Sequence, residues 1–319
     1  ANGARAPGDE LLDALEASAL AAVRAAALAC RPLVGRGSAH DADAAATDAM
    51  RAALATTPGI GTVVSGEGEK DGAPMLFDGE RIGAGVVPFD VAVDPLECTQ
   101  LCAAGLPGAL TTIAFATPRS LWSPGPAHYM EKLVVAAAAR DAIDLRDEPE
   151  ANLVRIADAL GRAVADTRVV VLDKPRHVEL IARLRAAGAQ VQTPPAGDVA
   201  AGVLAALPGS DVDVLMGTGG TPEGVLAACA VRALGGAMQA RLAPQRPAEA
   251  ERVAAAGLDC SEILTVDDLV SGPALFAAAG VTGGAFLRAP SVSDGLVSTE
   301  SLLVRPGLIR FIVDSTPEG

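Results

Sequence analysis

Lysine and tyrosine are almost missing from this chain of 319 residues: Lys70, Lys132, Lys174 and Tyr129 are all it has of either. Against an abundance of Ala and Arg, the scarcity reads as a base-composition bias rather than a demand of the fold. It marks those four positions as places where Arg or Phe would not serve. Cysteine is sparse too: five thiols at 30, 98, 102, 229 and 260 match neither a disulfide framework nor a zinc-ligand spacing, and read as reduced. Positive charge is in deficit. A net charge of −14 and a pI near 4.6 disfavour nucleic acid and anionic membranes as partners and suit cations instead. No apolar run reaches the length of a membrane span, and the opening ANGARAPGDE carries no signal-peptide pattern, so a cytoplasmic location is expected.

What is present is a core-forming composition, 50% hydrophobic. Residues 9–30, rich in Ala and Leu with acidic residues in the first turn, predict a helix; its thin polar content implies packing on more than one face and hints at a subunit contact in a homo-oligomer. A second helix is expected over about 43–54, begun by Asp43, and then the period changes to strands at 61–65, 89–93, 109–117 and 129–138. From 151 onward helices and short apolar runs alternate, which predicts a mainly parallel sheet with ligands at the carboxyl ends of its strands. The expected organisation is an α+β domain over 1–150 and an α/β domain over 151–319, with the boundary in the charged segment near 145–150. The placing of the C-terminal strands, STESLLVR and LIRFIVD, stays open.

Four stretches set carboxylates beside glycine or proline. FDVAVDPLECTQ runs an apolar strand into Asp94, Glu97 and Thr99, and Pro95 is expected to end the ladder. The result is either an Asp-Pro turn with a solvated Glu or a cluster of hard oxygen donors for Mg²⁺ or Mn²⁺. HDADAAATD holds Asp43, either an N-cap or a ligand. GEGEKDGAPM offers Glu67, Glu69 and Asp71 on a loop, either a solvated acidic turn or a set of ligands, and MGTGGTPEG leads glycines into a helix with Glu223 in its first turn, either a helix-dipole partner or a metal ligand. Cationic groups collect in DKPRH, where Lys174, Arg176 and His177 follow a strand, with Tyr129 and Lys132 as further candidates for phosphate.

Together these stretches suit metal-dependent phosphoryl transfer. VAVDPLECT resembles the Asp-Pro-Ile-(Asp/Glu)-Gly-Thr signature of the lithium-sensitive phosphatase superfamily. With GEGEKDGAPML, YMEKLVV, KPRH, GDVAA, GTGGTPEGV and STESLLVR in order over about residues 35–305, the chain resembles the class II fructose-1,6-bisphosphatase family. That resemblance implies a layered α-β-α-β-α sandwich. It also implies Mg²⁺ or Mn²⁺ held by Asp43, Glu67, Asp94, Glu97 and Glu223, and water activated by Asp71 and Thr99. Sugar-phosphate contacts would come from Tyr129, Lys174, Arg176, Asp198, Gly219 and Gly220. Four departures stand out. Ala39 replaces an expected Lys, Cys98 and Gln100 replace Gly and Arg in the signature, and Ala196 replaces an Asp before Gly197 and Asp198. The loss of two cations implies an altered or relaxed substrate choice. The readings are a fructose-1,6-bisphosphatase-like hydrolase, a sedoheptulose-1,7-bisphosphatase or other sugar monophosphate phosphatase, and a non-catalytic sugar-phosphate-binding paralogue. Cys98 and Cys102 read either as a redox pair or as two inert thiols.

Overall fold

The structure is a computed structural model that describes residues 8–66, 69–70, 73–74 and 76–318, with side chains omitted at 69–70 and 73–74. Glu67 and Asp71, two of the expected site residues, lie outside the described residues. Two compact units divide the chain, 1–121 with 272–319 and 122–271.

The first unit is an eight-stranded mixed sheet with helices against it. Helix Asp9–Cys30 buries Leu12, Leu15, Ala19, Val23 and Ala26, a three-and-four spacing that makes one broad apolar stripe. That stripe packs on strands Leu110–Ala116 and Ala274–Gly280, while helix Ala39–Leu54 packs on strand Pro88–Glu97. Asp43 does not begin this second helix. Ser38 is its N-cap, its hydroxyl accepting the Asp41 N–H at 3.2 Å, and Asp43 sits one turn in, buried. Strand Pro88–Glu97 lies between Ile60–Ser65 and Leu110–Ala116 and is buried from Phe89 to Glu97. The C-terminal strands join this same sheet: Leu296–Arg305 pairs with Ala274–Gly280, and Leu308–Pro317 with Leu296–Arg305.

The second unit covers both faces of a six-stranded sheet. Strand Tyr129–Val135 alternates sides: Leu133 and Val135 join a cluster with Leu153, Ile156, Ile181 and Leu184 from helices Pro149–Ala159 and Val178–Ala186. Helices Asp198–Ala206 and Thr221–Ala233 pack on this sheet too. The sheet is mixed, not mainly parallel. Only the Arg168–Val170 pairings with Val214–Gly220 and Gln190–Gln192 are parallel. Tyr129–Val135 enters antiparallel between Val214–Gly220 and Ala237–Leu242, and this pairing also puts the expected boundary at 145–150 inside the second unit. The α/β class itself is as expected.

Candidate metal and phosphate site

In the first unit the site is built on an irregularity in strand Pro88–Glu97. Pro95 does not end the ladder. Asp94 opposes Thr112 and Glu97 opposes Leu110, so three steps on one strand match two on the other. In a regular strand residues three apart face opposite sides; the extra residue restores the phase and turns Glu97 toward the side of Asp94. The two carboxylates come within 4.8 Å and are buried, 9% and 5% exposed. Asp94 is fixed by its neighbours: the Leu96 N–H donates to Oδ1 at 3.1 Å, and the Thr112 hydroxyl donates to its carbonyl at 3.3 Å. Two like charges held this close in a buried place repel, and a cation offsets that repulsion. An all-oxygen donor set of carboxylates fits a hard divalent ion such as Mg²⁺ or Mn²⁺ rather than a thiophilic one.

Cys98 follows directly, with φ +66°, the left-handed conformation that admits helix Thr99–Ala104. This explains the Gly of the signature, since only glycine adopts that conformation freely. Thr99 opens the helix, half-buried, and Gln100 beside it is exposed. The thiol hydrogen-bonded to Cys102 is Cys30. The contact and burial raise the Cys30 pKa, while the same contact lowers that of Cys102.

In the second unit the site gathers on the turn where strand Val214–Gly220 becomes helix Thr221–Ala233. Lys132 is 1% exposed; its Nζ donates to Asp198 Oδ2 at 2.5 Å and to the Gly220 carbonyl at 2.6 Å. It is therefore not a spare cation beside Tyr129: residues three apart in a strand face opposite sides, and Lys132 clamps the turn from behind. Gly219 is required there. A Cβ on it would come 1.9 Å from Asp198 Oδ2, an oxygen already pinned by Lys132, and one on Gly220 would meet Glu223 Oε2 at 1.8 Å. Asp198 is buried and spends one oxygen on this ion pair.

Arg176 donates through Nε and Nη2 to the Thr218 carbonyl at 3.1 and 2.8 Å, and its guanidinium carbon sits 5.2 Å from the centre of the Tyr129 ring. His177, expected as part of the cationic group, is instead a buried neutral imidazole. Nδ1 faces the Leu172 carbonyl at 2.8 Å and Nε2 accepts the Thr218 N–H at 2.8 Å, which requires the proton on Nδ1. Burial, aided by the charges of Arg176 and Lys174, lowers its pKa against the pull of the Leu172 carbonyl and Asp198. Lys174 is half-buried before the short turn Pro175–His177, and its carbonyl accepts the His177 N–H at 2.8 Å.

Tyr129, Gly220 and Glu223 line one pocket of about 510 Å³ in this unit, with His128, Arg246 and Arg252 on its wall. Sequence reasoning missed the two arginines and the buried carboxylate beside them. Buried Glu249 accepts N–H groups from His128 (2.8 Å), Tyr129 (3.1 Å) and Gln245 (3.0 Å), tying the pocket's two sides together. Its place in PAEAER, a plain helical repeat of Ala and Glu, gives no signal of this.

A profile of the family described as bacterial fructose-1,6-bisphosphatase, glpX-encoded, matches residues 13–316. The chain belongs to this family. It is 43% identical over 296 residues to fructose-1,6-bisphosphatase class 2 of Haemophilus influenzae, covering 88% of this chain and 89% of that one. To fructose-1,6-bisphosphatase 1 class 2 of Escherichia coli K12 it is 39% identical over 295 residues, covering 88% of each. Class 2 fructose-1,6-bisphosphatases are phosphoric monoester hydrolases, and the resemblance carried by the signature residues extends nearly end to end.

Proposed function

We propose that this chain hydrolyses a phosphate monoester of a sugar bisphosphate with Mg²⁺ or Mn²⁺, in the cytoplasm. The observation that carries the reading is the buried Asp94–Glu97 pair, brought to one side by the bulge within the family's signature. Asp43, Glu67, Asp94, Glu97 and Glu223 are the assigned ligands. A divalent cation so bound supplies charge neutralisation of the phosphate and polarisation of the attacking water. Thr99 and Asp71 orient and activate that water, the Thr99 hydroxyl by hydrogen bonding and the Asp71 carboxylate as the group that takes its proton. The Gly219–Gly220 turn presents backbone to the phosphate oxygens, stiffened by Lys132 behind it. Arg176 and Lys174 bind the second phosphate, and Tyr129, stacked under Arg176, bounds the sugar. Asp198, with one oxygen on Lys132, has the other for a sugar hydroxyl.

Fructose 1,6-bisphosphate, the substrate in the relatives' names, is the first candidate. Ala39 and Gln100 stand where the resemblance implies cations, and the loss of these two cations supports a broadened preference among sugar bisphosphates. A phosphate-release screen over sugar mono- and bisphosphates, with and without Mg²⁺ or Mn²⁺, tests both parts. Metal-dependent release from several bisphosphates is expected, and it is abolished in Asp94→Asn with the fold retained. An Asp94→Asn enzyme that stays active and metal-dependent overturns the assignment; turnover confined to fructose 1,6-bisphosphate overturns the broadened preference.

A further inference from the structure

Strand Leu308–Pro317 is paired over its whole length on one side only. Leu308 opposes Arg305 and Pro317 opposes Leu296, and among the described residues its other edge has no partner strand. Its two faces differ. Arg310 is ion-paired with Glu16 and Asp314 with Arg24 (2.9 Å), which ties the even-numbered side chains to helix Asp9–Cys30. The alternate residues Ile309, Phe311 and Val313 are 42%, 52% and 57% exposed. The ten-residue edge has no bulge and no lysine, its one proline, Pro317, stands at its last position, and its charged side chains lie on the face opposite the apolar row, which leaves the stretch around Ile312 open to pairing.

We propose that this edge pairs antiparallel with the same strand of a second copy of the chain, about a two-fold axis at Ile312. An isologous contact must satisfy itself, and the side chains select the register. About Ile312, Phe311 faces the partner's Val313 and Arg310 faces the partner's Asp314, each contact occurring twice. About Arg310, two guanidinium groups would stand opposite each other, and about Phe311 each Arg310 would face an isoleucine. Opposite charges and apolar pairs directly across an antiparallel ladder are favourable, and like charges are not. The eight-stranded sheet would thereby continue across the axis. The contact is independent of the phosphatase reading.

Sedimentation equilibrium of the full chain tests the proposal. The wild type is expected at a multiple of its 31.9 kDa chain mass, and Phe311→Asp at half the wild-type mass with its circular dichroism unchanged. Arg310→Asp or Asp314→Arg alone weakens association by at least about fivefold, because each places like charges opposite. The double exchange restores it. Since the double exchange also breaks both pairs to Glu16 and Arg24 within the chain, recovery identifies the contact across the axis. Ile312→Cys in a Cys260→Ser background, oxidised by glutathione disulfide, should give a disulfide-linked dimer. A monomeric wild type, an unchanged mass in Phe311→Asp, or a double exchange no better than either single change overturns the proposal.

Discussion

At Cys98 a side chain stands where the backbone favours glycine. With φ +66° it bears a left-handed conformation that costs a non-glycine residue about 1–2 kcal/mol, while glycine loses about 0.5–1 kcal/mol more conformational freedom on folding. Cys98→Gly is therefore expected to stabilise the chain by about 1 kcal/mol, read as a higher denaturation midpoint in urea. A lower midpoint would mean that the thiol makes contacts worth more than the strain. Lys132 presents the opposite case, a charge whose removal leaves another stranded. Lys132→Met should destabilise by about 3–5 kcal/mol, because Asp198 stays buried without its cation. Adding Asp198→Asn should recover most of that loss in the same urea titration. Equal losses in the single and double variants would instead assign the effect to the packing of the lysine stem.

At the scale of elements, the Val214–Gly220 strand and its turn depend on an imidazole that must stay neutral. Nε2 of His177 accepts a hydrogen bond, and burial lowers its folded pKa below the ordinary value, so near neutral pH the unfolded chain holds the proton more readily. Stability from this group is then complete above about pH 6.5 and declines as pH falls from there toward the lowered folded value. Thermal midpoints measured from neutral to mildly acidic pH should fall less steeply in His177→Gln than in the wild type. Identical slopes would remove His177 from the acid response.

The same turn illustrates what could be read from sequence. Period-two runs and glycine-rich breaks placed the strands 60–65, 110–116 and 129–135 and the helix after Gly220 to within a few residues. Ala274–Gly280 escaped, because ALFAAAG is helix-favouring by composition and becomes a strand only between partners on both sides. Asp94 and Glu97 were singled out from their oxygen chemistry, but the bulge that puts them side by side is a tertiary feature, set by pairing with Leu110–Ala116. His177 looked like one more cation among Lys174 and Arg176. Its neutrality follows from two hydrogen bonds to residues five before and forty-one after it.

For the whole molecule the dominant quantity is a net charge of −14, which opposes compaction in every part of the chain. Two distinct responses to cations should follow. Monovalent salt screens the general repulsion and should raise the thermal midpoint of chelator-treated protein gradually, without saturating at low concentration. Mg²⁺ does this too, but a specific site adds a saturable increment, about 2.7 kcal/mol at one hundred times its dissociation constant. At matched ionic strength the excess shift of MgCl₂ over KCl therefore isolates the site. Asp94→Asn should keep the KCl response, since it changes the net charge by only one unit, and lose the Mg²⁺ excess. If the excess survives in Asp94→Asn, the divalent ion acts on the acidic surface at large and the buried Asp94–Glu97 pair does not hold it.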